Sequence, residues 1–240
     1  MDIQPKAPEV SVDEITVVLL GDFNPKIFHP MWFAHHNILR ESEAIEASIE
    51  VVHADVASFS IEWLTVQVLR DRFTAAIKAD VYKTHLGDLV ENIFTLLSHS
   101  PVRQMGLNAS FRLRFGSEDD WHGFGHFLAP KSQWEGILNS PGMRSIVMRG
   151  ERNDDLAGHV NVTIEPDLRT RTDALVRIND HYESPNLQDE KQSSVEGATW
   201  VLRVLKDDFE SSFNRSEVLV TQLLSRFMTV KSVDSGRENV

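Results

Sequence analysis

His122 and His126 stand four residues apart, the spacing that puts two imidazoles on one helix face where they can share a metal ion. Asp119 and Asp120 lie just before them and offer carboxylates. Two features oppose that reading. Gly123 and Gly125 weaken the helix such a pair needs, and no glutamate follows the first histidine in the HExxH manner. These two are the metal-ligand candidates of the chain. The competing structural reading makes the segment an aromatic turn that anchors a helix to a sheet. A second cluster, His29, His35 and His36, sits in a similar aromatic setting.

Asp180-His181 has the residue types of a base-orienting pair. Neighbours on a strand point to opposite faces, however, so the pair works as a dyad only where the strand bulges or ends. Nucleophilic serine chemistry has no G-x-S-x-G elbow to sit on. Neither G-x-x-x-x-G-K-[ST] nor G-x-G-x-x-G occurs to cradle a phosphate. Asp207, Asp208 and Glu210 read as a solvated acidic helix face. Trp32, Trp63, Trp121, Trp134 and Trp200 read as core residues.

Charge and composition narrow the classes further. The chain carries 36 acidic against 24 basic residues, a formal net charge of −12. That sign opposes general binding to nucleic acid or anionic membrane. Only Arg144, Arg149 and Arg152, or Arg169, Arg171 and Arg177, offer the makings of a local basic face. With no cysteine there is no disulfide, thiolate zinc site, iron–sulfur cluster or cysteine nucleophile. No cofactor is implied. The first residues lack a basic segment followed by an apolar run, so they do not read as a secretory signal. The longest apolar run, around Ile15 to Leu20, falls far short of the ~18 residues a membrane span needs. A cytoplasmic protein is expected.

The elements that must position these groups follow from periodicity. Leu86, Leu89, Val90, Ile93, Phe94 and Leu97 recur at helical spacing, and that helix must stop before Pro101. Leu107, Ala109, Phe111, Leu113 and Phe115 then alternate with Asn108, Ser110, Arg112 and Arg114, a strand with one apolar and one polar face. Earlier, Ile15 to Phe23 reads as a strand and Pro30 to Leu39 as a short helix. Ile45 to Val51, Phe59 to Leu69 (with Trp63) and Arg72 to Ala79 read as three strands. Later, a helix is expected near Pro130 to Leu138. Strands follow at Met143 to Glu151, His159 to Glu165 and Asp173 to Tyr182. Residues 184–192 read as a polar loop. Ser193 to Ser212 and Arg215 to Phe227 read as two C-terminal helices forming a hairpin.

The expected fold class is therefore α+β: two β-α-β-β-β-α-like halves, with antiparallel sheet and helices packed on one face. The expected organisation is a flexible arm at 1–12 and a first α+β unit at 13–100. A second unit with the C-terminal helices spans 101–229, and a flexible tail 230–240. The two units form one compact domain. The opposite face of the sheet is expected to need a cover.

The segments DFNPKxFHPxWF at 22–33, ASFSxEWL at 57–64 and PVxxMGLN at 101–108 resemble a sporadically distributed family of bacterial conserved hypothetical proteins. The resemblance spans most of 14–228. It implies the two-part α+β design and no established activity, catalytic residue or cofactor. The leading expectation is a non-enzymatic interaction or assembly protein, self-associating as a dimer or joining a bacterial multiprotein complex through its C-terminal helices. The alternative is a ligand- or metal-binding enzyme with a His/carboxylate pocket between sheet and helices, using His122, His126 or His181. A third reading is an acidic antitoxin- or inhibitor-like protein.

Overall fold

The computed structural model describes residues 7–152, 154–185 and 197–237. The chain runs β1 (Glu9–Gly21), α1 (Pro30–His35), α2 (Glu41–Glu46), β2 (Ser48–Val52), β3 (Val56–Ser60), β4 (Thr65–Leu69), β5 (Arg72–Ile77) and α3 (Lys83–Leu96). It continues through β6 (Val102–Arg114), α4 (Glu118–Leu128), β7 (Ile146–Glu151), β8 (Gly158–Pro166), β9 (Asp173–Glu183) and α5 (Thr199–Arg237). The strands form one antiparallel nine-stranded sheet in the order β2-β3-β4-β5-β1-β6-β9-β8-β7. Its centre is the pairing of the two 13-residue strands, β1 and β6.

One sheet face is apolar and carries the helices. Val17, Leu107, Phe111, Val176 and Ile178 point into it, and all are buried. Over the first part of the sheet, Phe23, Phe28, Phe33, Phe59, Phe73 and Phe94 fill the space beneath α1 and α3. Over the second part, α5 lays Trp200, Val201, Phe209, Phe213, Val220, Leu224 and Phe227 inward. The Trp200 indole donates to the Val102 carbonyl at 2.9 Å. α3 and α5 cross closely at Gly87, where a Cβ would come within 3.0 Å of the Phe209 ring.

Several expectations are corrected. The C-terminal hairpin is a single helix of 39 residues. No glycine or proline stands between 198 and 235 to end it. The serines near the supposed break are bonded into the helix: Ser216 Oγ donates to the Ser212 carbonyl one turn back. The inward face of α5 is core, so that face is already used inside the chain rather than left for a partner. Helix formation in the Trp-rich segment begins earlier than expected. α4 is regular through Gly123 and Gly125, because Ser117 caps the Asp120 amide and Glu118, Asp119 and Asp120 favour the positive end of the helix. The helix expected at 130–138 reduces to a short 3-10 turn at Lys131–Trp134, and Trp134 is exposed.

Phe59 to Leu69 divides into β3 and β4 with Trp63 in the turn, so four strands follow α2 where three were expected. Ile45 belongs to α2. The stretch read as a loose arm enters β1 at Glu9, which pairs with Arg114. The stretch read as a loose tail continues α5 to Arg237. The remainder of the arm (1–6), the polar loop (186–192), the expected helix start (193–196) and residues 238–240 lie outside the described residues. Among the described residues no helix is long and apolar enough to cross a membrane.

Trp63 is held by Glu43, which accepts from its indole at 3.1 Å. Glu43 also accepts from the Arg40 side chain at 2.9 Å, and this bond chiefly lowers its carboxyl from 4.5 to about 2. A depressed carboxyl stabilises fully above its unfolded value and loses that contribution as pH falls through the folded one. The Trp63 indole proton signal is therefore expected to hold steady down to about pH 4.5 and shift with a midpoint near 2. A midpoint at the ordinary glutamate value would show that the bond is not formed.

Candidate functional site

The sheet face opposite the helices is polar, as the alternation in β6 requires, and so needs no apolar cover. Register aligns its side chains into rows across the strands. One row runs Thr16, Asn108, Asn179, Asn161 and Arg149 across β1, β6, β9, β8 and β7. Its amides are chained: Asn161 donates to Asn179 at 3.4 Å and Asn179 to Asn108 at 2.6 Å. Asn108 in turn donates to the Thr16 carbonyl at 3.3 Å. Gly106 leaves room for this chain, since a Cβ there would meet the Asn179 amide nitrogen at 2.9 Å. Above the row lies an open trough of about 1170 Å³, walled by the segments around Met143 and Leu168.

The next row runs Val18, Gly106, His181, His159 and Glu151. The β8–β9 hairpin places His159 directly opposite His181, with ring centroids 4.5 Å apart. Glu183 follows two residues on, on the same face, 3.8 Å from His181 Nε2. Among the described residues, His159, His181 and Glu183 form the one group of three ligating side chains whose donor atoms lie within 4.8 Å of one another. Arg149 reaches over from β7, 3.1 Å from His159 Nδ1. Burial chiefly lowers both imidazole pKa values. The Arg149 charge adds to this at His159, and the neighbouring His159 does so at His181, while Glu183 opposes the shift at both.

His122 and His126 lie elsewhere. Both are on α4 and exposed, with His122 against Trp121 and His126 Nδ1 accepting from the Lys131 amide at 3.4 Å. No third ligating side chain comes to them among the described residues. His35 and His36 pack edge to face beside Trp32.

Asp180 and His181 are indeed split between the two faces. Asp180 is 2% exposed on the helix side. There it accepts from Arg215 and Ser212, each at 2.7 Å, from Tyr182 at 3.0 Å, and from Arg152. Asp208 joins the same network, accepting from Tyr182 and Arg215 at 2.7 Å and from Arg152 at 3.0 Å. Arg152 also lies over the Tyr182 ring, its guanidinium carbon 4.0 Å from the centroid. Desolvation and Asp180 push the Tyr182 phenol up, so it stays protonated and donates. These ionic groups between sheet and helix satisfy one another and clamp α5 to β9, and Asp180, Ser212 and Arg215 also line a groove beside the clamp. Asp208, expected on a solvated face, is part of it.

The arginines expected to form a basic face are dispersed. Arg152 is buried, Arg169 pairs with Asp167, Arg177 with Glu165, and Arg171 lies 3.8 Å from Glu118.

The sheet has two free edges, β2 and β7. β2 is interrupted by a register shift between Ile49 and Val51. β7 pairs with β8 over six residues without interruption. Its side chains Val147, on the open face, and Met148, on the helix face, are 62% and 60% exposed. Behind Met148 a groove of about 680 Å³ separates the sheet edge from α5, lined by Val160, Val162, Val218 and Leu219.

No protein-family model matches the chain, and no curated protein matches it.

Proposed function

We propose that the protein is a non-enzymatic assembly protein that pairs with a second copy of itself along the β7 edge. The uninterrupted edge of β7, apolar over Ile146–Met148, carries this reading. Long exposed edges template strand pairing, and proteins that stay single blunt them with bulges, prolines or inward charges. β7 has no proline and no bulge. Antiparallel pairing centred on Met148 uses Ile146 to Gly150, sets Met148 against its own copy and places Arg149 opposite Val147 rather than its counterpart. A register centred on Arg149 would oppose two like charges, which is destabilising. The product is a continuous sheet with both polar faces on one side.

Within each copy, the order β1 to α3 and the order β6 to α5 support the inference of two like halves, the first carrying an extra strand. A cytoplasmic, bacterial setting belongs to the same proposal and rests on the sequence alone.

Light scattering on a size-exclusion column tests the edge. The wild type is expected to elute as a dimer, and Met148→Lys as a monomer with nearly unchanged melting temperature. A Met148→Lys dimer would remove β7 from the interface, and a monomeric wild type at every concentration would remove self-association.

A second reading, a ligand-binding protein, is favoured by the amide row under the trough. That row has the donors and acceptors to hold a polar ligand. It lies on the open face, not between sheet and helices.

A further inference from the structure

We propose that His159, His181 and Glu183 form a binding site for a borderline divalent transition metal such as Zn²⁺ or Co²⁺. The three ligating atoms belong to two adjacent strands of one hairpin, so the backbone ladder fixes their relative positions. Their mutual separations, within 4.8 Å, need only side-chain rotation to close. A metal about 2.1 Å from each ligand draws ligand atoms to within about 3.5 Å of one another. Two imidazoles with one carboxylate suit zinc, cobalt or nickel better than calcium or magnesium, which prefer all-oxygen shells. The polar trough beside the histidines leaves the remaining coordination positions to water or ligand.

Arg149 is the group that opposes the metal. Its guanidinium donates toward His159 Nδ1, which places the imidazole proton on Nε2. Ligation through Nδ1 displaces Arg149 directly. Ligation through Nε2 moves the proton to Nδ1 and breaks the same bond. In either case the metal competes with Arg149, and its positive charge raises the cost of a second cation nearby. Arg149 stands on the exposed edge strand and is free to swing out to solvent. The site therefore has a built-in competitor, and removing it must strengthen binding rather than weaken it. A merely incidental histidine pair gives no such sign.

The test is titration of the full chain with Zn²⁺ by calorimetry, and with Co²⁺ by its visible absorption. The wild type is expected to bind one metal per chain. His159→Ala and His181→Ala are expected to lose at least tenfold in affinity. Arg149→Ala is expected to bind several-fold more tightly, and the double variant His122→Ala, His126→Ala to bind as the wild type does. The site lies on the polar side of the sheet, partly buried, and circular dichroism verifies that each variant is folded. Should either histidine variant fail to fold, Glu183→Gln and Arg149→Ala carry the test, with opposite expected signs. No binding by the wild type, binding that survives loss of both His159 and His181, or weaker binding by Arg149→Ala would each overturn the proposal.

Discussion

Replacing Asp180 by alanine is expected to destabilise the fold by about 3–5 kcal/mol, the usual effect of removing one partner from a buried ion pair. The reason lies in what remains. Arg152 has a side chain only 3% exposed, and it would lose one carboxylate while held against the Tyr182 ring. Tyr182 and Ser212 would each lose an acceptor in a region with little water. Arg215 is less affected, because its side chain is 43% exposed and can turn outward. Urea unfolding should show a lower midpoint with an unchanged slope. Replacing Asp180 and Arg152 together by leucine and methionine should cost clearly less than the sum of the two single changes, since no buried charge is then stranded. A loss under about 1 kcal/mol for Asp180→Ala would mean that the network is hydrated and is not a clamp.

The second large effect is expected at the other end of the sheet. Phe73→Ala should cost about 3–5 kcal/mol, the range for truncating a buried aromatic. Phe73 is fully buried on β5 and packs against Phe28, Phe94 and Phe23 with ring centroids 5.6, 5.1 and 6.4 Å away. These rings come from the loop after β1, from β5 and from α3, so no single neighbour can move in to fill the space. Phe73→Leu should cost much less, because it leaves a smaller cavity. Equal losses for the two variants would place the effect in the backbone instead.

The two changes act on different layers of information in the chain. The ring cluster and the β6 alternation are written locally, and both the strands and the apolar face of α3 follow from spacing alone. The polar character of the second sheet face was equally open to view in Asn108, Ser110, Arg112 and Arg114. Expecting a cover for that face overlooked its own alternation. The separation of Asp180 from His181 also follows from strand geometry. What each of them meets does not, because Asp180 finds Arg152, Asp208 and Arg215 only through tertiary packing.

The His159–His181 pair left a sequence signal that went unused. His159-Val-Asn161 and Asn179-Asp-His181 are mirror images about the turn that joins β8 to β9. A hairpin pairs residues symmetrically about its turn, so this mirrored pattern sets His159 beside His181 and Asn161 beside Asn179 in the register. The i, i+4 spacing of His122 and His126 points to a helix instead. The single C-terminal helix was missed because the polar stretch from Ser211 to Arg215 looks like a linker. Ser212 donates its hydroxyl to Asp180 and the next serine, Ser216, to a helix carbonyl, which the sequence does not display. The free edge of β7 was not legible either, because strand order is a property of the whole sheet.

The most direct test of self-assembly is residue-resolved amide hydrogen exchange along β7, followed from dilute to concentrated protein. Every second amide of Ile146–Glu151 points away from β8 and has no strand partner among the described residues. The account predicts that these outward amides exchange rapidly in dilute solution and become protected together as concentration rises, while the amides facing β8 stay protected throughout. Rapid exchange of the outward amides at every concentration would contradict pairing along this edge.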